Sequence, residues 1–153
     1  MVGRRPAVTL VRLAVLVVLS LIVFRGLLVP MRVVGRSMEP TYRDGRFNFL
    51  NRLAYRVGAP RRGDVVAIRM PGSRLVVLKR IVALPGERVA VRGARVLVNG
   101  ELLREPYASG RGIPSTRGEV RLGEDQYFAI GDNREQTAYD VVRRSNILGK
   151  VLF

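Results

Sequence analysis

The sequence contains no cysteine, no histidine and no tryptophan. The first two absences exclude disulfides, thiolate nucleophiles, Cys/His zinc sites and every Ser-His-Asp triad. A nucleophile in this chain is therefore a hydroxyl or a carboxylate, and a base working near neutral pH is a carboxylate or a lysine of lowered pKa. Lysine itself is scarce: of 27 basic residues only Lys79 and Lys150 are lysines. With 12 acidic residues the net charge is +15, which suits anionic partners such as lipid head groups or nucleic acid. No G-x-S-x-G elbow, S-x-x-K, P-loop or dinucleotide fingerprint occurs, and those enzyme classes are set aside.

What is present fits one domain and a short appendage, since 153 residues with 48% hydrophobic content allow a single core. Residues 7–29 form an apolar run broken only by Arg12 and Arg25. As a helix it would be about 34 Å long, enough to cross a hydrocarbon layer. No small-residue cleavage site of the A-x-A kind follows it, so it reads as an uncleaved anchor rather than a removed leader. Arginines flank both ends, and charge alone does not orient it. The expected organisation is a short tail at residues 1–6, a transmembrane anchor at 7–29 and one domain over 31–153.

From Met31 onward, short β-rich runs alternate with turn signals. Residues 64–70 and 75–84 flank Pro71-Gly72-Ser73, and residues 88–92 and 95–98 flank Gly93-Ala94, two expected hairpins. Asn99-Gly100 predicts a tight turn into Leu102-Leu103, and residues 119–122, 126–130 and 147–153 are further strand candidates. No second stretch carries a helical apolar stripe, so the domain is expected to be mostly β. Residues 104–117, rich in Gly, Pro and Ser, read as an exposed loop.

Lys79 lies inside an apolar strand with Val77, Ile81 and Ala83 on its own face. Desolvation there lowers an ammonium pKa, which is not useful for Arg. A packed stem with its ammonium at the strand edge is the competing reading. Ser37, in Gly35-Arg36-Ser37-Met38-Glu39-Pro40-Thr41, projects from a glycine- and proline-punctuated turn after the anchor, where a lone hydroxyl is equally an ordinary turn serine. Gly131-Asp132-Asn133-Arg134 is a turn that suits a surface ion pair as well as a site. Asp132, Glu135 and Asp140 lack the spacing of an oxygen-ligand loop, so no metal and no cofactor are expected.

Together, the segment at Gly35 to Thr41, Arg62-Gly63-Asp64-Val65-Val66, Lys79-Arg80-Ile81-Val82-Ala83-Leu84-Pro85-Gly86-Glu87 and Gly131-Asp132-Asn133-Arg134 resemble the ordered motifs of bacterial type I signal peptidases. The resemblance spans essentially the whole chain, apolar run included. It implies a signal-peptidase-like β-sheet or barrel domain on one N-terminal transmembrane helix, with the N-terminus cytoplasmic and the domain outside. The implied activity is a serine endopeptidase that removes signal peptides from exported preproteins after small residues, with Ser37 as nucleophile and Lys79 as general base.

By the same resemblance the Ser37 N–H donates to the oxyanion, Gly35 stands where some members carry a second hydroxyl donor, and Val33, Met38, Val77 and Leu78 line the substrate pockets. Thr137 takes the place of a serine that orients the lysine, and Asp132 with Arg80 or Arg134 braces the site. The chain departs from the family after that motif: Tyr139 occupies the usual aspartate position, with Asp140 one place later. The alternative is an inactive or specialised relative that binds peptides without cutting. A nucleic-acid binder is disfavoured because the arginines are scattered and aromatics are 7% of the chain, leaving membrane lipids as the partner of the charge.

Overall fold

A computed structural model describes residues 6–22, 27–72, 75–112 and 117–152. The chain opens with helix α1 (Pro6–Ile22), followed by β1 (Leu28–Arg32), β2 (Phe47–Asn51), β3 (Val65–Arg69), β4 (Val76–Ala83), β5 (Arg88–Arg92), β6 (Arg95–Val98) and β7 (Glu101–Leu102). It ends with β8 (Arg117–Arg121), β9 (Gln126–Ile130), β10 (Tyr139–Arg143), a single 3-10 turn (Arg144–Asn146) and β11 (Ile147–Leu152). The strands form a seven-stranded sheet in the order β1-β2-β11-β3-β4-β9-β10 and a four-stranded sheet in the order β7-β6-β5-β8, each pair antiparallel. The domain is mostly β, as expected, but neither sheet closes into a barrel among the described residues.

The centre of the large sheet explains its sequence. The strand β3 has β11 and β4 beside it and buries its first four residues: Val65 and Ala67 face one cluster with Val33, Met38 and Leu78, while Val66 and Ile68 face another with Ile81, Ala129 and Val142. Burial on both faces is why this strand reads as a continuous apolar run rather than an alternation. A third cluster joins the sheets, with Val82, Phe128 and Ile130 packed against Val89, Val91 and Val96. The expected hairpins form: the Met70 N–H donates to the Leu75 carbonyl at 3.0 Å, and Arg92 pairs with Arg95 across Gly93-Ala94. Asn99 and Gly100 take φ of 53° and 86°, the double left-handed turn that Asn-Gly favours.

Three strands had no reading in the sequence. The residues of β2 invert the usual alternation, with Asn48 buried and Phe47 76% exposed, so hydropathy points to the wrong face. The strand β10 comprises residues 139–143, next to β9, where a departure from the motif masked the pairing. Leu28 and Val29, expected at the tail of the anchor, instead pair with Asn51 and Leu50 in β1. Helix α1 is described over Pro6–Ile22, and β1 already begins at Leu28, before the expected anchor end at residue 29. It is exposed along its whole length, and no helix among the described residues is long and apolar enough to cross a membrane.

Candidate functional site

The loop between β1 and β2 carries Ser37. Gly35 adopts φ +98°, a region closed to most side chains, and its N–H donates to Asp44 Oδ1 at 2.9 Å, which turns the chain back on itself. Met38, almost wholly buried, pins the loop into the core beside Val33. The loop docks on the turn after β9: the Asn133 N–H donates to the Ser37 carbonyl at 3.0 Å, and Asn133 Nδ2 to the Arg36 carbonyl at 3.1 Å. Gly131 makes this contact possible, because a Cβ there would stand 2.3 Å from the Ser37 carbonyl oxygen and 2.3 Å from Thr137 Oγ1.

Lys79 approaches from β4, opposite Val66 of β3. Its Nζ donates to Thr137 Oγ1 at 2.6 Å; that hydroxyl also accepts the Gly131 N–H at 3.0 Å and donates its own proton to the Ala138 carbonyl at 2.9 Å. Both acceptor positions of Thr137 are thereby used, and the amine is oriented. Burial lowers the Lys79 pKa from its ordinary 10.5 to about 8. The cause is desolvation alone, and no carboxylate contributes, in keeping with Tyr139 standing where the resemblance expects an aspartate. Tyr139 stacks instead on Phe128, with ring centroids 5.6 Å apart.

Ser37 and Lys79 share the lining of one cavity of about 190 Å³. All four residues expected to line the substrate pockets, Val33, Met38, Val77 and Leu78, belong to the same cavity, as does Gly35. Among the described residues no hydrogen bond joins Lys79 Nζ to Ser37 Oγ; the amine's bond goes to Thr137. A larger hollow of about 420 Å³, bounded by Thr41, Arg43, Arg46 and Phe47, contains neither residue.

The charged bracing sorts itself by geometry. Arg80 forks onto wholly buried Asp132, with Nε to Oδ1 at 2.8 Å and Nη2 to Oδ2 at 2.6 Å, and Thr41 Oγ1 donates to the same carboxylate at 2.5 Å. Arg134 turns elsewhere: its Nη2 lies 2.5 Å from Glu105 Oε1 and its Nε donates to the Gly131 carbonyl at 3.1 Å. Of the two braces expected for Asp132, Arg80 is the one formed. The sequence reading missed Glu105, Tyr107 and Ser109, which pack onto this turn from residues expected to be an exposed loop. Nothing in their spacing signals it. The second lysine, Lys150, is engaged elsewhere and pairs with Asp64 at 2.7 Å.

Known proteins place the same features in one family. The profile of the signal peptidase family, peptidase S26, matches residues 7–153. Signal peptidase I T of Bacillus subtilis (strain 168) is 33% identical over 131 residues, covering 80% of this chain and 68% of that protein. Signal peptidase I of Bacillus licheniformis is 34% identical over 130 residues, with 79% and 70% covered. The crystal structure of a signal peptidase I from Enterococcus faecalis V583 superposes with a TM-score of 0.51 at 25% identity, over 61% of this chain and 97% of that one. A histidine-free hydroxyl and amine in one cavity, carried on motifs matched from end to end, mean that the chain belongs to the signal peptidase family, peptidase S26, and is a peptidase.

Proposed function

We propose that the protein is a membrane-tethered serine endopeptidase that removes signal peptides from exported preproteins, with Ser37 as nucleophile and Lys79 as general base. The observation that carries this reading is the shared cavity: a desolvated amine and an alcohol line one pocket whose floor is apolar. A neutral Lys79 has two N–H bonds and a lone pair. One N–H is held by Thr137, which leaves the lone pair to accept the Ser37 Oγ proton as Oγ attacks the carbonyl carbon of the scissile bond. The Ser37 N–H faces the resulting oxyanion, a donor typically worth about 10²- to 10³-fold in rate. Gly35 has no side chain to add a second donor. Collapse breaks the C–N bond as the Lys79 ammonium protonates the departing amine. A water that gives its proton to the now neutral Lys79 then attacks the acyl carbonyl, and the C–O bond to Ser37 breaks as Lys79 returns that proton to Oγ. Asp132 with Arg80 and Thr137 hold these groups in register. No metal or cofactor enters the scheme.

The narrow apolar cavity beside Val33, Met38, Val77 and Leu78 favours small side chains before the cut, hence precursors of the A-x-A kind. The tether is α1, whose apolar residues are exposed all round, an arrangement that requires an apolar surrounding. Its 17 described residues span about 25 Å at 1.5 Å per residue. The N-terminus lies on the cytoplasmic side of a bacterial membrane and the catalytic domain outside it, with acidic lipids attracting the net positive charge.

Full-length protein in detergent is expected to cut a precursor with a small-residue site, and Ser37→Ala and Lys79→Ala each to abolish cutting. A serine-directed acylating probe is expected to label Ser37, which also separates an enzyme from a peptide-binding relative. Normal cleavage by either variant overturns the assignment.

A further inference from the structure

Residues 104–112 reach the site at three separate points. The Tyr107 ring lies 3.9 Å from the Arg80 guanidinium, and its hydroxyl donates to Glu105 at 3.1 Å. Glu105 receives both terminal nitrogens of buried Arg134, whose Nε holds the Gly131 carbonyl. Ser109 donates its N–H to the Asp132 carbonyl at 2.8 Å and its hydroxyl to the Glu39 carbonyl at 3.1 Å. One segment thus grips the residue after Lys79, the turn that docks Ser37 and the Ser37 loop itself.

We propose that Tyr107, supported by Glu105 and Ser109, is a positioning residue that fixes the Ser37 loop and the Lys79 strand relative to each other. This rests on Ser37 and Lys79 being the reacting pair. Neighbours on a strand point to opposite faces, so pinning Arg80 on one face sets the backbone from which Lys79 extends on the other. Strand pairing restrains this residue from the β3 side only: Lys79 sits opposite Val66 in the β3–β4 ladder, whereas the β4–β9 register begins at Arg80 with Ile130 and shifts between Ile81 and Ala83, leaving Lys79 beyond its end. The aromatic face over a desolvated guanidinium supplies the missing restraint, because cation–π attraction grows as water is removed. Arg80 is 11% exposed and its partner Asp132 fully buried.

The test compares Tyr107→Ala, Tyr107→Leu and Tyr107→Phe in the full chain, with precursor kinetics against pH beside thermal melts. Asp140 and Tyr139 of β10 are the ionisable groups that share a cavity with Lys79, while β3 and β9 present Ile68 and Ala129 there, so the acid limb of kcat/KM reports water access to the amine. Tyr107→Ala and Tyr107→Leu are expected to lower kcat about tenfold with KM changed by less than about twofold, and to move the acid limb up by about half a pH unit or more. Tyr107→Phe, which keeps the ring and loses only the bond to Glu105, restores both. Val98→Ala, a gap in the core between the sheets, lowers the melting temperature and leaves the limb in place. Tyr107→Leu with the wild-type kcat and limb overturns the proposal, as does a limb that moves equally in Val98→Ala. If Ser37→Ala still cuts, the catalytic reading itself falls; if it is dead while the Tyr107 variants behave as wild type, only the positioning role falls.

Discussion

Holding an amine in an apolar pocket costs stability, and Lys79→Met measures that cost. Lowering the amine from 10.5 to about 8 corresponds to at most about 3 kcal/mol at roughly 1.36 kcal/mol per pH unit. Solvent entering through the cavity reduces this to about 1–3 kcal/mol. Methionine matches the stem and loses the 2.6 Å bond to Thr137, worth about 1 kcal/mol net. The variant is therefore expected to be inactive yet more stable at pH 7 by up to about 2 kcal/mol, a rise in melting temperature of up to about 8 °C for a chain of this size.

The sign follows from proton counting. The folded pKa lies below the unfolded one, so between about 8 and 10.5 the unfolded chain holds more protons, and wild-type stability rises with pH across that window. The advantage of Lys79→Met shrinks over the same interval and vanishes above it. Circular dichroism melts of both proteins in one detergent at pH 7 and pH 10.5 decide the matter. A variant that melts at or below wild type at pH 7, or whose advantage is the same at both pH values, refutes the desolvated-amine account.

Thr137→Val keeps the side-chain shape but removes the acceptor shared by Lys79 Nζ and the Gly131 N–H. It is expected to lower kcat ten- to hundredfold and stability by about 1–3 kcal/mol, with Thr137→Ser recovering most of both; equal rates for Thr137→Val and wild type would show that the amine needs no such partner. Gly131→Ala drives a methyl group against the Ser37 carbonyl and Thr137 at 2.3 Å. It should fold with about 1–3 kcal/mol less stability and cleave precursor about 100-fold more slowly, and unimpaired cleavage would mean the Ser37 loop does not depend on this contact.

Lys79 was legible because it departs from its surroundings, one of two lysines among 27 basic residues and set in an apolar strand, whereas Ser37 read as an ordinary turn serine until the family resemblance singled it out. The four pocket residues were legible only through the family resemblance. Strands with uniform burial, such as residues 65–69 and 126–130, announced themselves, whereas β2 did not, because its phenylalanines face outward. Tyr107 and Ser109 gave no signal, since their partners lie 27 and 70 residues away in sequence and their own neighbours read as loop.

The sequence by itself bounded the available chemistry: with neither histidine nor cysteine, the nucleophile is a hydroxyl or a carboxylate and the base a carboxylate or a lysine, and local patterning placed most strands. Tertiary structure alone decided which carboxylate braces which arginine, that Thr137 takes both the amine and the Gly131 N–H, and that a loop by composition clamps the site. The physical reason is range. Propensity and alternation act over a few residues and are written in order along the chain. Desolvation, ion-pair partners and the fit of one carbonyl against a missing Cβ depend on segments the fold brings together from far apart.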